Sequence, residues 1–111
     1  MHGTVAEVLT AARWILANVG WTKRAFARDK RGEALWARGN WNDLAVCFCA
    51  RGAVYATTFD SDSKTMAAVA LDAAVTDGDC GNGVAGFNDR QRSVAPVLAL
   101  FDRVIRAEAG K

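Results

Sequence analysis

The sequence contains little proline and histidine and an odd number of cysteines. One proline in 111 residues disfavours a fold built from many tight turns. His2 is the only histidine and lies in the N-terminal segment, which disfavours a zinc site and the usual Cys–His catalytic pair. The three cysteines, Cys47, Cys49 and Cys80, cannot all pair, and without a secretion signal they indicate reduced thiols. We therefore expect no disulfide, no metal and no other cofactor.

Long hydrophobic runs are missing as well. No uncharged apolar stretch reaches the roughly 18 to 20 residues that span a bilayer, and the N-terminal segment lacks the pattern of a signal peptide. We therefore expect a cytoplasmic protein without membrane contact. A net charge of only +2 with 51% hydrophobic residues excludes intrinsic disorder. A chain of this length can bury one core, so a single domain over residues 1–111 is predicted.

Helical patterns account for most of the chain. We predict a mainly α fold, a compact bundle of about four helices with a central buried helix and a small β-hairpin between helices 1 and 2. Thr4 and Glu7 have capping-box spacing, so the first helix is predicted to run from Thr4 to Val19. Gly20 is expected to stop this helix in a left-handed conformation. The hairpin is predicted over residues 24–37, with a turn that ends at Gly32.

Three further helices follow in the prediction. Residues 44–57 are apolar on every side, which is typical of a buried helix, and Gly52 inside it indicates close approach of a neighbouring backbone. Residues 60–63 offer N-cap oxygens for a helix that ends near Val75. Its expected core-facing residues are Met66, Val69, Ala70, Ala73 and Ala74. The glycine-rich segment 76–92 is predicted to be a loop, and Ser93 to cap a last helix with Pro96 in its first turn.

Two short motifs have weak functional interpretations. Gly81, Gly83 and Gly86 match the glycine spacing of the dinucleotide-binding fingerprint, but no strand is predicted before them, so we expect a loop and no phosphate cradle. Cys47 and Cys49 lie two positions apart in a predicted helix, where their side chains would point to different sides and share no metal ion. Both are interpreted as small buried hydrophobic residues.

Charge is distributed unevenly along the chain. Residues 13–38 contain seven Lys or Arg against two Asp or Glu, a net charge of +5. Residues 60–89 contain six Asp against one Lys, a net charge of −5. Aromatic side chains lie between the cations of the basic part: Trp21, Phe26, Trp36 and Trp41. This mixture could bind an acidic protein, could neutralise phosphates and stack on bases, or could be a solvated ribbon whose aromatics face the core.

Two blocks of the sequence resemble a family of small uncharacterised domains from bacterial and phage genomes. The first block is Gly20–Thr22 followed by Ala27–Asp29 and Gly32, and the second is Cys49–Ala53 with Phe87–Asp89 after it. The resemblance implies a compact helical domain without a settled activity, and it assigns no catalytic residue. Phe87 stands where the family pattern has tryptophan, which weakens the case for an exposed indole at that position.

These observations favour a non-enzymatic binding protein that recognises a protein partner. The predicted basic and aromatic surface consists of Trp21, Arg24, Arg28, Arg31, Trp36, Asn88 and Asp89. The resemblance to phage proteins implies an inhibitor of the anti-defence type as a special case. The alternative is nucleic-acid or nucleotide binding through the same cations, and a third hypothesis is a cysteine- or carboxylate-dependent enzyme. The sequence leaves open which tryptophans belong to the core and which to a contact surface: Trp14, Trp21, Trp36 and Trp41.

Overall fold

The computed structural model describes residues 1–75 and 83–111, and helices dominate this part of the chain. The helices are α1 (Val5–Asn18), α2 (Trp41–Leu44), α3 (Ala50–Ala56), α4 (Ser61–Ala74), α5 (Gly83–Arg90) and α6 (Ala95–Ala109). The strands are β1 (Ala27–Asp29), β2 (Ala34–Leu35) and β3 (Ala45–Phe48), which form an antiparallel sheet in the order β2-β1-β3. The predicted mainly helical fold is confirmed, but the sheet and the unequal helices make it more than a four-helix bundle.

The core lies where α1, α3, α4 and α6 pack against one another. Leu9, Val54 and Phe101 are fully enclosed there, on three different helices. Apolar burial of this kind contributes about 1.5–3 kcal/mol for each large side chain. None of the helices in the described ranges is long and apolar enough to cross a lipid bilayer.

The first helix confirms the capping-box prediction. The Thr4 hydroxyl accepts a hydrogen bond from the Glu7 N–H, and the Glu7 carboxylate accepts one from the Thr4 N–H. The bond from the Thr4 N–H to the carboxylate is the main cause that lowers the pKa of Glu7 below its ordinary value. The prediction for Gly20 is wrong, since this glycine has no positive φ. A Cβ at Gly20 would lie 2.7 Å from the Val46 carbonyl oxygen, so the glycine allows the chain to run beside β3.

The hairpin is confirmed, and a third strand supports it. Ala27 pairs with Leu35 across the hairpin, and Gly32 adopts the predicted positive φ of 84°. On its other side Ala27 pairs with Phe48 of β3. An isolated two-stranded ribbon is marginal in water, so pairing with β3 supplies the support that the hairpin needs.

A continuous helix over residues 44–57 is wrong. The segment divides into the end of α2, the strand β3 and the short buried helix α3. An apolar run fits a buried strand as well as a buried helix, and β1 offers hydrogen-bond partners that decide between them. Cys47 therefore lies on a strand and Cys49 at the start of a helix, not on one helix. The inference for Gly52 is confirmed, because a Cβ there would overlap the Phe26 carbonyl oxygen.

Helix α4 begins as predicted, with Asp60 as its N-cap, but it presents a different face to the core. Met66 and Val69 are each 60% exposed, whereas Ser63, Ala67 and Leu71 are buried. Ser63 faces inward because its hydroxyl accepts a hydrogen bond from the N–H of Gly3 at 3.0 Å. Alanine on nearly every face of this helix left its orientation undetermined by the apolar pattern.

The predicted loop over residues 76–92 is wrong for its second half, where α5 forms. The Asp72 carboxylate accepts a hydrogen bond from the Val84 N–H at 2.9 Å and so occupies the start of α5. An anion in this position satisfies a donor that a phosphate would need. Gly81 of the dinucleotide-like motif and Cys80 lie outside the described residues. Ser93 does not cap α6, whose N-cap is Val94, but Pro96 lies in its first turn as predicted.

Candidate functional site

A pocket of about 280 Å³ opens between the start of the hairpin, α3 and α5. The chain before β1 and the end of β2 supply one wall, and the first residues of α3 and one face of α5 supply the others. Its lining residues are Arg24, Ala25, Phe26, Trp36, Cys49, Arg51, Ala85 and Asp89. The pocket therefore combines aromatic and apolar surface with two cations and one carboxylate.

The Asn88 side chain joins the three walls. Its Oδ1 accepts hydrogen bonds from the Trp21 indole Nε1–H at 2.8 Å and from the Ala50 N–H at 3.0 Å. Its Nδ2 donates to the Thr22 carbonyl oxygen at 3.1 Å. Asn88 is 0% exposed, so it fixes α5 against α3 and the chain before β1 and cannot itself contact a partner.

Arg24 holds a strained backbone conformation at the rim of the pocket. It is the non-glycine residue with positive φ, at 65°, among residues 1–75 and 83–111. A left-handed conformation costs roughly 1–2 kcal/mol for a residue with a Cβ. The Arg24 N–H donates to the Asp89 Oδ1 at 2.7 Å, which helps to hold this conformation. The Arg24 side chain is consequently exposed at the pocket entrance.

Arg51 supplies the second cation and an unsatisfied donor. Its Nε is buried and has no hydrogen-bond partner among residues 1–75 and 83–111. Its guanidinium carbon lies 5.8 Å from the centre of the Tyr55 ring, within the range of a cation–π contact. The Tyr55 ring in turn packs against Phe26, whose ring also contacts Trp41 edge to face. An aromatic cluster thus lies beside the Arg51 guanidinium.

The surroundings of Cys49 favour a structural role over a reactive one. Its Sγ accepts a hydrogen bond from the Gly52 N–H at 3.2 Å and so caps α3. Burial raises the pKa of the Cys49 thiol above its ordinary value, the N–H groups of Gly52 and Arg51 oppose this, and the Asp89 carboxylate adds to it. His2 does not offset this, since it lies beside Asp60 and Ser63 at the start of α4. Cys49 and Asp89 share a cleft, but the arrangement disfavours the thiolate that nucleophilic chemistry requires.

The raised pKa of Cys49 predicts a loss of stability in alkaline solution. Below the pKa of an unfolded cysteine, about 8.5, the thiol is protonated in both states. As the pH rises further, the unfolded chain releases the proton while the folded chain retains it, so the free energy of unfolding falls. We expect Cys49→Ser to remove this contribution while its hydroxyl still caps α3. Urea unfolding of both chains from pH 7 to 10 measures the difference, and parallel profiles would contradict the prediction.

Arg28 of the predicted surface and the neighbouring Lys23 are occupied by internal contacts. Arg28 donates to the Thr22 hydroxyl and to the carbonyl oxygens of Lys23 and Gly32. The Lys23 ammonium donates to the Gln91 carbonyl oxygen. Arg31 is exposed, but it lies beside a separate depression near Asp43 and Val46 rather than in the pocket.

The structure thus divides the predicted site residues into three groups. Arg24, Trp36 and Asp89 line the pocket. Trp21 and Asn88 hold it together through their hydrogen bond, while Arg28 and Arg31 lie outside it.

The four tryptophans separate in the same way. Trp14 and Trp36 are 60% and 58% exposed, Trp21 is half-buried, and Trp41 packs against Phe26 and Phe48. The sequence prediction missed Arg51 and Cys49 as lining residues, although both fall within the block Cys49–Ala53 on which the family resemblance rests.

The described residues contain no group of three or more His, Cys, Asp or Glu side chains that could hold a metal ion. The described lining of the pocket offers hydrogen-bonding groups, charged groups and aromatic surface.

Comparison with known proteins identifies a family but no activity. The model of a family of unknown function, DUF6197, matches residues 1–107. No curated protein and no solved structure matches the chain.

Proposed function

We propose that this chain, which belongs to the family of unknown function DUF6197, binds a partner protein through the pocket and its rim. The observation that carries the proposal is a pocket lined by two arginines and aromatic surface, where one arginine has a buried donor without a partner in the described part of the chain. Tryptophan, tyrosine and arginine are the residues that most often dominate binding energy in protein interfaces. The exposed Trp36 and the strained Arg24 at the entrance fit this role.

The distribution of cations favours a protein partner over a nucleic acid. A protein that follows a phosphate backbone needs several free cations along one surface. Arg28 and Lys23 donate to groups of the protein itself, and Arg13 forms a bidentate pair with the Asp102 carboxylate. The pocket itself is a discrete site that has a carboxylate among its lining residues as well as cations. This mixture of charges suits a protein surface.

The proposal is tested by removing the two exposed side chains at the pocket entrance. Arg24→Gly deletes the guanidinium and relieves the left-handed strain, so the free energy of unfolding should stay unchanged or rise by about 1 kcal/mol. Trp36→Ala removes an indole that is already 58% exposed. With both changes, capture from a lysate of the source organism, quantified by mass spectrometry, should recover at least about tenfold less partner.

Trp14→Ala is the matched control, since Trp14 is equally exposed but lies on α1 beside a different groove. This variant should capture the partner as the unchanged chain does. Equal recovery by the double variant, or a loss confined to Trp14→Ala, would overturn the proposal.

Nucleic-acid binding is the competing outcome, and the salt dependence of the affinity distinguishes it from binding of a protein partner. Phosphate contacts release counterions, so nucleic-acid affinity falls by orders of magnitude between about 50 and 200 mM salt. Capture that survives nuclease treatment and this increase in salt supports a protein partner. If the captured protein is a host factor that loses activity when bound, the chain is an inhibitor of the anti-defence type, the special case that a phage origin would favour.

A further inference from the structure

We infer that the pocket recognises a carboxylate of the partner, namely an Asp or Glu side chain next to an apolar residue. This inference rests on the proposed function and names the chemistry that the same site accepts. Three features of the pocket carry it: the unpartnered donor of Arg51, the net charge of the lining and the aromatic surface at the entrance.

The unpartnered donor indicates that a ligand should supply a hydrogen-bond acceptor. A buried N–H without an acceptor costs about 1–3 kcal/mol, and more when the donor is charged. Arg51 Nε is such a group, and the Tyr55 ring lies beside its guanidinium at 5.8 Å. A guanidinium offers two parallel N–H donors, which match the two oxygens of a carboxylate. A carboxylate in the pocket would therefore pair with the guanidinium whose Nε–H has no acceptor among the described residues.

The charge of the lining selects a singly charged anion. Among the described lining residues, Arg24 and Arg51 contribute two positive charges and Asp89 one negative charge, a net charge of +1. One carboxylate neutralises this lining. A phosphate carries about −1.5 to −2 at neutral pH and would leave excess negative charge beside Asp89. The pocket is thus complementary to an acidic side chain and not to a phosphorylated one.

The remaining lining residues indicate which kind of residue lies next to that carboxylate in the partner. Phe26 and Trp36 provide aromatic surface, and Ala25 and Ala85 provide apolar surface without bulk. A volume of about 280 Å³ lies at the lower end of the range for small-molecule pockets. It suits one or two side chains of a peptide segment, with the apolar residue against Trp36 and the carboxylate toward Arg51.

The test uses short peptides and the complete chain. Acetyl-Phe-Asp-amide should shift the Arg51 Nε–H resonance in an NMR titration, and it should bind at least about tenfold more tightly than acetyl-Phe-Asn-amide. Acetyl-Phe-phosphoserine-amide and inorganic phosphate, as alternative anions, should bind more weakly than the Asp peptide. Arg51→Lys keeps the charge but removes the paired donors, so it should lose about tenfold in affinity for the Asp peptide. Thermal unfolding of this variant checks that the fold is retained.

Each contrary result has a defined meaning. Equal affinity for the Asp and Asn peptides, tighter binding of either phosphate probe, or no shift of the Arg51 Nε–H at about 10 mM peptide would overturn the carboxylate inference. If the pocket variants still lose the captured partner in that case, the proposed function stands and only the ligand chemistry is wrong. If Arg24→Gly with Trp36→Ala captures the partner normally, the proposed function fails, whatever the peptides show.

Discussion

Replacing Asn88 by alanine is expected to lower the free energy of unfolding by about 3–5 kcal/mol. The change deletes one acceptor and one donor and leaves three groups without their partner: the Trp21 indole N–H, the Ala50 N–H and the Thr22 carbonyl. Asn88 is 0% exposed, so water cannot replace the lost bonds without opening the packing. Urea denaturation followed by circular dichroism measures the effect.

Asn42→Ala is the matched control for this prediction. Asn42 is an exposed asparagine whose amide donates one bond, to the Ala56 carbonyl oxygen at 3.2 Å. Its replacement should cost less than about 1 kcal/mol. A loss of similar size for both variants would show that the three bonds of Asn88 contribute no more than a surface bond.

The second large effect is expected for Gly52→Ala. The added Cβ would overlap the Phe26 carbonyl oxygen, which also accepts a hydrogen bond from the Cys49 N–H. Helix α3 must then move away from the chain before β1, at a cost of about 2–3 kcal/mol. Alanine by itself favours a helix over glycine by about 1 kcal/mol, so the sign of the result distinguishes close packing from helix propensity.

Gly110→Ala separates the effect of helix propensity from the effect of close packing. Gly110 has a φ of −81° and offers room for a Cβ, with its nearest neighbour 3.5 Å away. We expect a change within about 0.5 kcal/mol at this position. Thermal unfolding measures the stability of both alanine variants. A Gly52→Ala chain as stable as the original would refute the close approach of α3 to Phe26.

Local signals explain which parts of the fold could be predicted. The capping box of Thr4 and Glu7 and the positive φ of Gly32 depend on neighbours within a few residues. The strand β3 could not be predicted in this way, because its apolar residues fit a helix equally well until β1 supplies a partner. Helix α4 shows the same limit, since its orientation depends on the distant bond between Gly3 and Ser63.

Of the predicted site residues, Arg24, Trp36 and Asp89 line the pocket, and the sequence did not indicate the role of the others. The sequence grouped Trp21 and Arg24 with Asn88 and Asp89, and the structure brings all four together across more than sixty positions of the chain. It did not show that Asn88 is buried, since an asparagine before an aspartate is also typical of an exposed turn. Arg51 was missed because an arginine in the first turn of a helix resembles any solvated cation until its surroundings are known.

The hydrogen bonds of the Asn88 amide have a consequence for the order in which the chain folds. They join positions 38, 66 and 67 residues apart. Contacts of such separation form only after long loops have closed, at an entropic cost that local helices do not bear. The pocket is therefore completed only when the helices pack together, after the local helices have formed. A chain arrested earlier would contain most of its helices and still lack the pocket, so under the proposed function partner binding would report on completed folding.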